Sequence, residues 1–107
     1  MQGIATISAY RRPVGYQQIS AATLATSTHL TLPTQINGQP INLAVIQCNV
    51  AATSVRWRDD GTAPTATVGM VIGGTVSFEL DYTGDLTIIQ FIVAVGAPIL
   101  DITYYAQ

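Results

Sequence analysis

Residues 55–62 read VRWRDDGT and bring together side chains whose types and spacing could do chemistry. Arg56 and Arg58 flank the single tryptophan, Trp57, and are followed at once by Asp59 and Asp60. Adjacent carboxylates are oxygen ligands for a cation, and they are also groups that can exchange protons. The alternative is a strand that runs into a turn, because Asp-Gly is a favoured turn sequence.

A metal site has little support around this string. An EF-hand loop needs acids at alternating positions and a glutamate at its end, and DDGTAPTATVGM has neither. Asp81 and Asp85 could join the loop only through the fold. The single histidine, His29, and the single cysteine, Cys48, lie far apart and do not form a zinc motif. We therefore expect no metal or other cofactor.

Enzyme motifs are not found either. The GxSxG nucleophile sequence does not occur, and VGMVIGG lacks the lysine of a phosphate-binding loop. A glycosidase would need two carboxylates positioned around a sugar ring, which nothing in the sequence indicates. His29 is predicted to be a structural or surface side chain, and Cys48 a buried small hydrophobe. We expect no enzymatic activity.

The charge content is low for a protein of this size. Four arginines, six acidic residues and no lysine make up 9% of the 107 residues, against about 25% in an ordinary soluble domain. Such a surface is either rich in Thr, Ser and Gln or covered by neighbours in an assembly, and we favour the second. The net charge of −2 argues against nucleic acid as a partner. The apolar stretches are too short to span a membrane, and no signal peptide is visible, so we expect a soluble domain made in the cytosol and not exported.

The chain is rich in β-branched and aromatic residues at alternating positions, with turn sequences about every ten residues. This pattern predicts an all-β protein, an antiparallel sandwich or barrel of seven to nine short strands. Residues 1–14 form an N-terminal arm or edge strand, and residues 15–107 a single β-sandwich domain. The segment ISAATLATSTHL is predicted to be a strand, and Gly73-Gly74 a two-residue hairpin turn.

Within this sandwich the string at 55–62 has a structural interpretation. Alternation directs Val55 and Trp57 towards the core and the two arginines outwards. Glu79 and Asp81 alternate with apolar residues in the same way. Cross-strand pairs between Arg56 or Arg58 and these acids are expected, although arginines beside aromatic residues are also typical of interface hot spots.

Three stretches resemble a family of proteins. The run VRWRDDGTAPTATVGMVI, the later LDYTGDLTIIQFI and the ending GAPILDITYY are similar to small virion proteins of tailed bacteriophages. Those proteins often carry RWRDDGT followed by a spaced Pro, Thr and Gly-Met, then YDGDL and a final Tyr-Tyr. The match covers roughly residues 53–105, and Thr83 stands where an acid is expected. The RWRDDGT string indicates a family more strongly than it indicates a particular function.

The resemblance implies a β-sandwich, jelly-roll-like, that is built into a virion assembled in the host cytoplasm. It implies most strongly a capsid cement or decoration protein, a homotrimer that clamps neighbouring copies of the major capsid protein. The N-terminal arm would add a strand to a neighbour's open edge, with Arg11 and Arg12 as its anchoring charges. Arg11, Arg12, Tyr16, Arg56 and Arg58 are the candidate interface residues.

Two alternatives of other kinds stay open. One is a head-to-tail connector, a tail component or a fibre-associated component of the virion. The other is a carbohydrate-binding module that uses Trp57, Tyr16 or Tyr82 as a stacking platform. Glycan binding would separate the second alternative from a capsid role.

Overall fold

A computed structural model describes residues 11–34, 40–73 and 79–106. Within these ranges the chain forms eight strands and one short helix. Their bounds are β1 (Arg12–Ile19), α1 (Ala21–Leu24), β2 (Thr28–His29), β3 (Ile41–Cys48), β4 (Ser54–Arg58), β5 (Met70–Gly73), β6 (Glu79–Tyr82), β7 (Gln90–Val95) and β8 (Leu100–Ala106).

The strands form two four-stranded sheets, with the orders β1-β8-β3-β6 and β2-β7-β4-β5. All pairs of neighbouring strands are antiparallel. These two strand orders are those of a jelly roll, in which Greek-key connections cross between the layers. The predicted all-β, jelly-roll-like sandwich is therefore confirmed.

Alternation along the central strands builds the core between the sheets. In β8, Leu100, Ile102, Tyr104 and Ala106 are buried, and the three residues between them are half-buried. In β3, Ala44, Ile46 and Cys48 are buried, while the opposite face of the strand is half-buried. Phe91 of β7 and Val55 of β4 close the core from the second sheet, both at 0% exposure.

The first edge strand begins before the domain boundary that the sequence suggested. Arg12, Pro13 and Val14 already belong to β1, which pairs with β8 at the edge of the first sheet. Residues 12–14 therefore agree with the edge-strand alternative of that prediction. Residues 1–10, which make up most of the predicted arm, lie outside the described residues.

The segment predicted as the strand ISAATLATSTHL contains one turn of helix instead. The hydroxyl of Ser20 accepts a hydrogen bond from the backbone N–H of Thr23 at 3.4 Å and caps α1. Leu24 ends this turn and is fully buried. Capping and the burial of one leucine outweigh the strand propensity of the threonines, and only Thr28 and His29 return to a strand.

The predicted hairpin at Gly73-Gly74 is wrong for the strands on either side of it. β5 pairs with β4 in the second sheet, whereas β6 pairs with β3 in the first. The described parts of the two runs are therefore in different layers and do not pair with each other. Residues 74–78, between them, lie outside the described residues.

Replacing a buried leucine should measure how much the core contributes. Leu100 is 0% exposed, so Leu100→Ala should lower the free energy of unfolding by about 2–5 kcal/mol through lost burial and a residual cavity. Val95 is 56% exposed, and Val95→Ala should change it by less than about 0.5 kcal/mol. Urea titrations followed by tryptophan fluorescence give both values. Equal costs at the two positions would contradict the packing described here.

Candidate functional site

Arg56 lies on the outer face of β4 and holds the loop that joins β4 to β5. Its Nε donates to the backbone carbonyl of Ala66 at 3.1 Å, and its Nη1 donates to that of Gly69 at 2.8 Å. Carbonyls that end a loop without a strand partner need donors, and a guanidinium supplies several in a fixed plane. Arg56 is therefore a structural clamp on residues 59–69.

Arg58 forms an ion pair within the same string. Its Nε donates to Oδ1 of Asp60 at 3.1 Å, and its Nη2 contacts Oδ2 of the same carboxylate. Asp60 also accepts the backbone N–H of Thr62 at 3.2 Å, which shapes the Asp-Gly turn. The hydrogen bonds from Arg58 and Thr62 lower the pKa of Asp60. The pairing of Arg56 or Arg58 with Glu79 or Asp81 was wrongly predicted, because β4 and β6 belong to different sheets.

Asp59 connects the string to the opposite sheet. Its Oδ2 accepts a hydrogen bond from the hydroxyl of Tyr82 at 2.7 Å. Tyr82 ends β6, and its ring meets that of Trp57 edge to face, with centroids 5.8 Å apart. Burial and then the carboxylate of Asp59 raise the pKa of Tyr82. Trp57 and Tyr82 thus close one end of the sandwich between β4 and β6.

Two glycines in the resembling stretches have a steric reason. A Cβ on Gly84 would lie 2.3 Å from the hydroxyl oxygen of Tyr82, so YTGDL needs glycine for the ring to fold back over the turn. Gly69 has φ +140°, and a Cβ there would lie 3.0 Å from the carbonyl oxygen of Trp57. In the turn after Gly84, Oδ1 of Asp85 accepts hydrogen bonds from the backbone N–H of Thr87 at 2.9 Å and from the hydroxyl of Thr87 at 2.6 Å.

An open pocket of about 360 Å³ lies beside this cluster. It is lined by Arg58, Asp59, Asp60, Val68, Gly69 and Met70. Its three charged side chains are already engaged, with each other or with Tyr82, and its remaining wall is largely apolar. In the part of the chain that the structure describes, no three His, Cys, Asp or Glu residues come together as a metal site. The charged groups that line the pocket therefore make contacts within the subunit.

The other candidate residues lie on a different strand, at the β1 edge. Tyr16 is 62% exposed, and its hydroxyl donates to Oδ1 of Asp101 at 2.6 Å. Gln18 donates to the same oxygen at 2.9 Å, and Asn49 donates to Oδ2. Burial acts to raise the pKa of Asp101, but these three hydrogen bonds outweigh it and lower the pKa. Asp101 was missed in the sequence, although alternation in ILDITYYA already places it on the outer face.

The five predicted interface residues therefore do not form one site. Arg56 and Arg58 hold the β4–β5 loop, whereas Arg11, Arg12 and Tyr16 lie at or just before β1, in the other sheet. The Nε of Arg11 is buried and has no hydrogen-bond partner among the described residues. No side chain is shared between the two groups in the contacts described above.

Four further side chains, those of His29, Cys48, Trp57 and Tyr82, test other expectations from the sequence. His29 is exposed, and Cys48 is buried with its sulfur 3.3 Å from Oγ1 of Thr53. Trp57 packs against the core and Tyr82 is only 6% exposed. Of the three aromatic residues considered for sugar stacking, Tyr16 alone is open to solvent, so they do not form a shared platform.

Comparison with protein-family models, with curated proteins and with solved structures gave no match. Among the described residues, no helix has the length and apolar character needed to cross a bilayer.

Substituting alanine for glycine should show that the YTGDL turn is sterically restricted. Gly84→Ala places a methyl group against the Tyr82 ring and should destabilise the fold by about 1–3 kcal/mol through forced displacement. Gly73→Ala is the matched control, because nothing lies within 4 Å of its Cβ position. Chemical unfolding of the two variants gives the comparison. A Gly84 variant as stable as the Gly73 variant would contradict the packing of Tyr82 in this turn.

The hydrogen bond between Tyr82 and Asp59 should appear in the alkaline stability profile. Because the folded pKa of Tyr82 lies above the unfolded value of 10.0, its contribution is complete below pH 10 and is lost as the pH rises towards the folded pKa. Tyr82→Phe should cost about 1–3 kcal/mol at neutral pH, since it leaves Asp59 without this donor. It should also make the decline above pH 10 less steep.

Urea unfolding of the wild type and the Tyr82→Phe variant between pH 7 and 11 measures both effects. Tyr104→Phe is the comparison for burial alone, because burial raises the pKa of Tyr104 to about 12 and its hydroxyl donates to the neutral side chain of Gln17. It should also make the alkaline decline less steep, but without removing a hydrogen bond to a carboxylate. An unchanged alkaline slope in the Tyr82 variant would contradict this role.

Proposed function

We propose that this chain is a structural subunit of a bacteriophage virion and acts as a capsid cement protein. In this role it binds the outside of the shell and bridges neighbouring copies of the major capsid protein. The particle assembles in the host cytoplasm, and the subunit acts as a homo-oligomer, with a trimer favoured. A connector, tail or fibre-associated position in the virion is the second candidate.

The proposal depends mainly on the RWRDDGT string and on the contacts that its charged side chains make within the subunit. This string resembles phage virion proteins, and its charged side chains are engaged inside the subunit. Arg56 clamps two loop carbonyls, Arg58 pairs with Asp60, and Asp59 accepts from Tyr82. A string whose function is to hold two loops together supports a rigid building block rather than a reactive centre.

The surface supports an assembly role. Charged residues are 9% of the chain, and several large apolar side chains are exposed. The large apolar side chains that are about half exposed or more are those of Tyr16, Val68, Met70, Val71 and Val95. Val68, Met70 and Val71 follow one another along the β5 edge, beside the pocket. A sparsely charged surface with apolar side chains at an edge is suited to being covered by neighbours.

The fold agrees with this proposal by analogy only. Jelly rolls form the shells of many viruses and also many lectins, so the architecture does not determine the function. The dispersed aromatic side chains described above favour a shell component over a sugar-binding module. Each subunit would make modest contacts with several shell proteins, and multivalency would multiply their effect.

Particle reconstruction by electron cryomicroscopy tests the proposal directly. In virions from the phage whose genome encodes this chain, we expect density of this jelly roll on the outer surface of the head. Density at the neck, tail or fibre would replace the cement role with the second candidate. If mass spectrometry finds no such chain in purified virions, the proposal is overturned.

A shortened chain tests the part played by the N-terminal segment. Deleting residues 1–10 leaves β1 in place from Arg12 and should greatly reduce occupancy on particles stripped of the protein, because main-chain pairing by the arm would be lost. Thermal unfolding of the free variant is the control for folding. Full occupancy by the shortened chain would remove the arm from the binding mechanism.

A further inference from the structure

We infer that two copies of this chain pair through the β5 edge of the second sheet, antiparallel and about a two-fold axis at Val71. The proposed partner is a second copy of the chain. The contact joins the four-stranded sheets of the two copies into one continuous sheet. The inference goes beyond the proposed function and does not depend on it.

The β5 edge is an apolar edge that the fold leaves uncovered. β5 has β4 as its neighbour in the sheet and no described strand on its other side. Val68, Met70 and Val71, in β5 or just before it, are each about half exposed or more. A Cβ at Gly73 would meet nothing within 4 Å, so the space at the end of the strand is open. Residues 68–73 contain no charge and no proline, which are the features that commonly protect an edge strand from pairing.

Met70 shows that the core is incomplete at this edge. It lies in one row with Trp57 of β4 and Phe91 of β7. Phe91 is fully buried and Trp57 packs against the core, so this row faces the first sheet. Met70 is nevertheless 61% exposed, so the first sheet does not cover this end of the row. A further strand beside β5 would remove apolar surface of Met70 from water, which is favourable.

The other edges of the two sheets are protected. β1 contains Pro13 and a bulge between Pro13 and Gly15, and Pro33 packs against Gly15. β2 is two residues long. β6 carries Glu79 and Asp81, both exposed, and like charges oppose the pairing of this edge with itself. Among the described strands, β5 is therefore the edge best suited to pairing with a second copy.

The sequence of β5 is complementary to itself. With the two-fold axis at Val71, this residue lies opposite Val71 of the second copy, and Met70 lies opposite Ile72 of the second copy. Every side chain in this short ladder is apolar. A two-fold contact requires such a self-complementary surface, because each copy presents the same residues.

The nearest charges do not oppose this contact. Arg56 pairs with Val71 in the sheet, and its guanidinium donates to two loop carbonyls. The two copies of Arg56 would be three strand spacings apart, about 14 Å, which exceeds the screening length of about 8 Å at physiological salt. Arg58 is paired with Asp60. Charge repulsion across the axis is therefore small.

The contact is small, so the dimer should be weak. The ladder spans residues 70–72 in each copy, whereas stable interfaces bury about 1,200–2,000 Å² in total. We expect dimers at high protein concentration, and more of them where copies are held side by side on one surface. Because each copy uses one edge for the pair, its remaining surfaces stay available for other neighbours.

Opposite charges placed on the axis test the register. Val71→Lys and Val71→Glu, each studied alone, put two like charges opposite one another and should abolish the dimer. An equal mixture of the two variants places Lys opposite Glu and should restore dimers to at least about the wild-type level. This pattern requires that residue 71 faces itself.

Val95→Lys and Val95→Glu are the matched controls. Val95 is also an exposed valine of the second sheet, but it lies on β7, two strands away from β5. These variants, alone or mixed, should dimerise like the wild type. Circular dichroism checks that every variant folds.

Sedimentation equilibrium at protein concentrations up to about 1 mM measures the dimers. A wild type without dimers, a folded Val71 variant that dimerises alone, or a mixture that stays monomeric would each overturn the inference. Deleting residues 1–10 should leave dimerisation unchanged. Loss of dimers in the shortened chain would overturn the inference in favour of pairing by the N-terminal segment.

Discussion

The hydrogen bond from Tyr82 to Asp59 is the contact on which one end of the sandwich depends. It joins the last residue of β6, in the first sheet, to the residue after β4, in the second. Its donor ring packs against Trp57 and requires glycine at position 84. Backbone pairing stabilises each sheet internally, whereas side chains must hold the two layers together. A carboxylate and a partly buried phenol add direction to what is otherwise apolar packing.

The contacts around this bond bring together two stretches that are distant in the sequence. RWRDDGT provides the carboxylate, the clamp on the loop and the turn, while YTGDL provides the phenol and the glycine that accommodates it. Asp85 caps its own turn, so an acid at the neighbouring position 83 is not needed for this geometry. A pattern that resembles a catalytic or metal loop is thus accounted for by the closing of a jelly roll.

The charged side chains around this framework fall into two groups. The arginines of β4 are engaged within the subunit, and the acids beside them are equally engaged. The arginines at the start of β1 and the acids of β6 lie instead on opposite edges of one sheet.

Local sequence by itself determined the fold class, most strands and the direction of their side chains. Alternation correctly placed Val55 and Trp57 towards the core and Asp81 outside, because period two in a strand is a local property. It did not determine which strands pair. The arginines of β4 were assigned acids that lie in the other sheet, and Asp101 was overlooked, because jelly-roll connections cross between layers and bring together residues far apart in the chain. Local sequence also failed to predict the helical turn that Ser20 caps. That turn forms in place of a strand because it buries Leu24. Only the tertiary structure decided those contacts, since they depend on how the sheets stack and not on the pattern within any one strand.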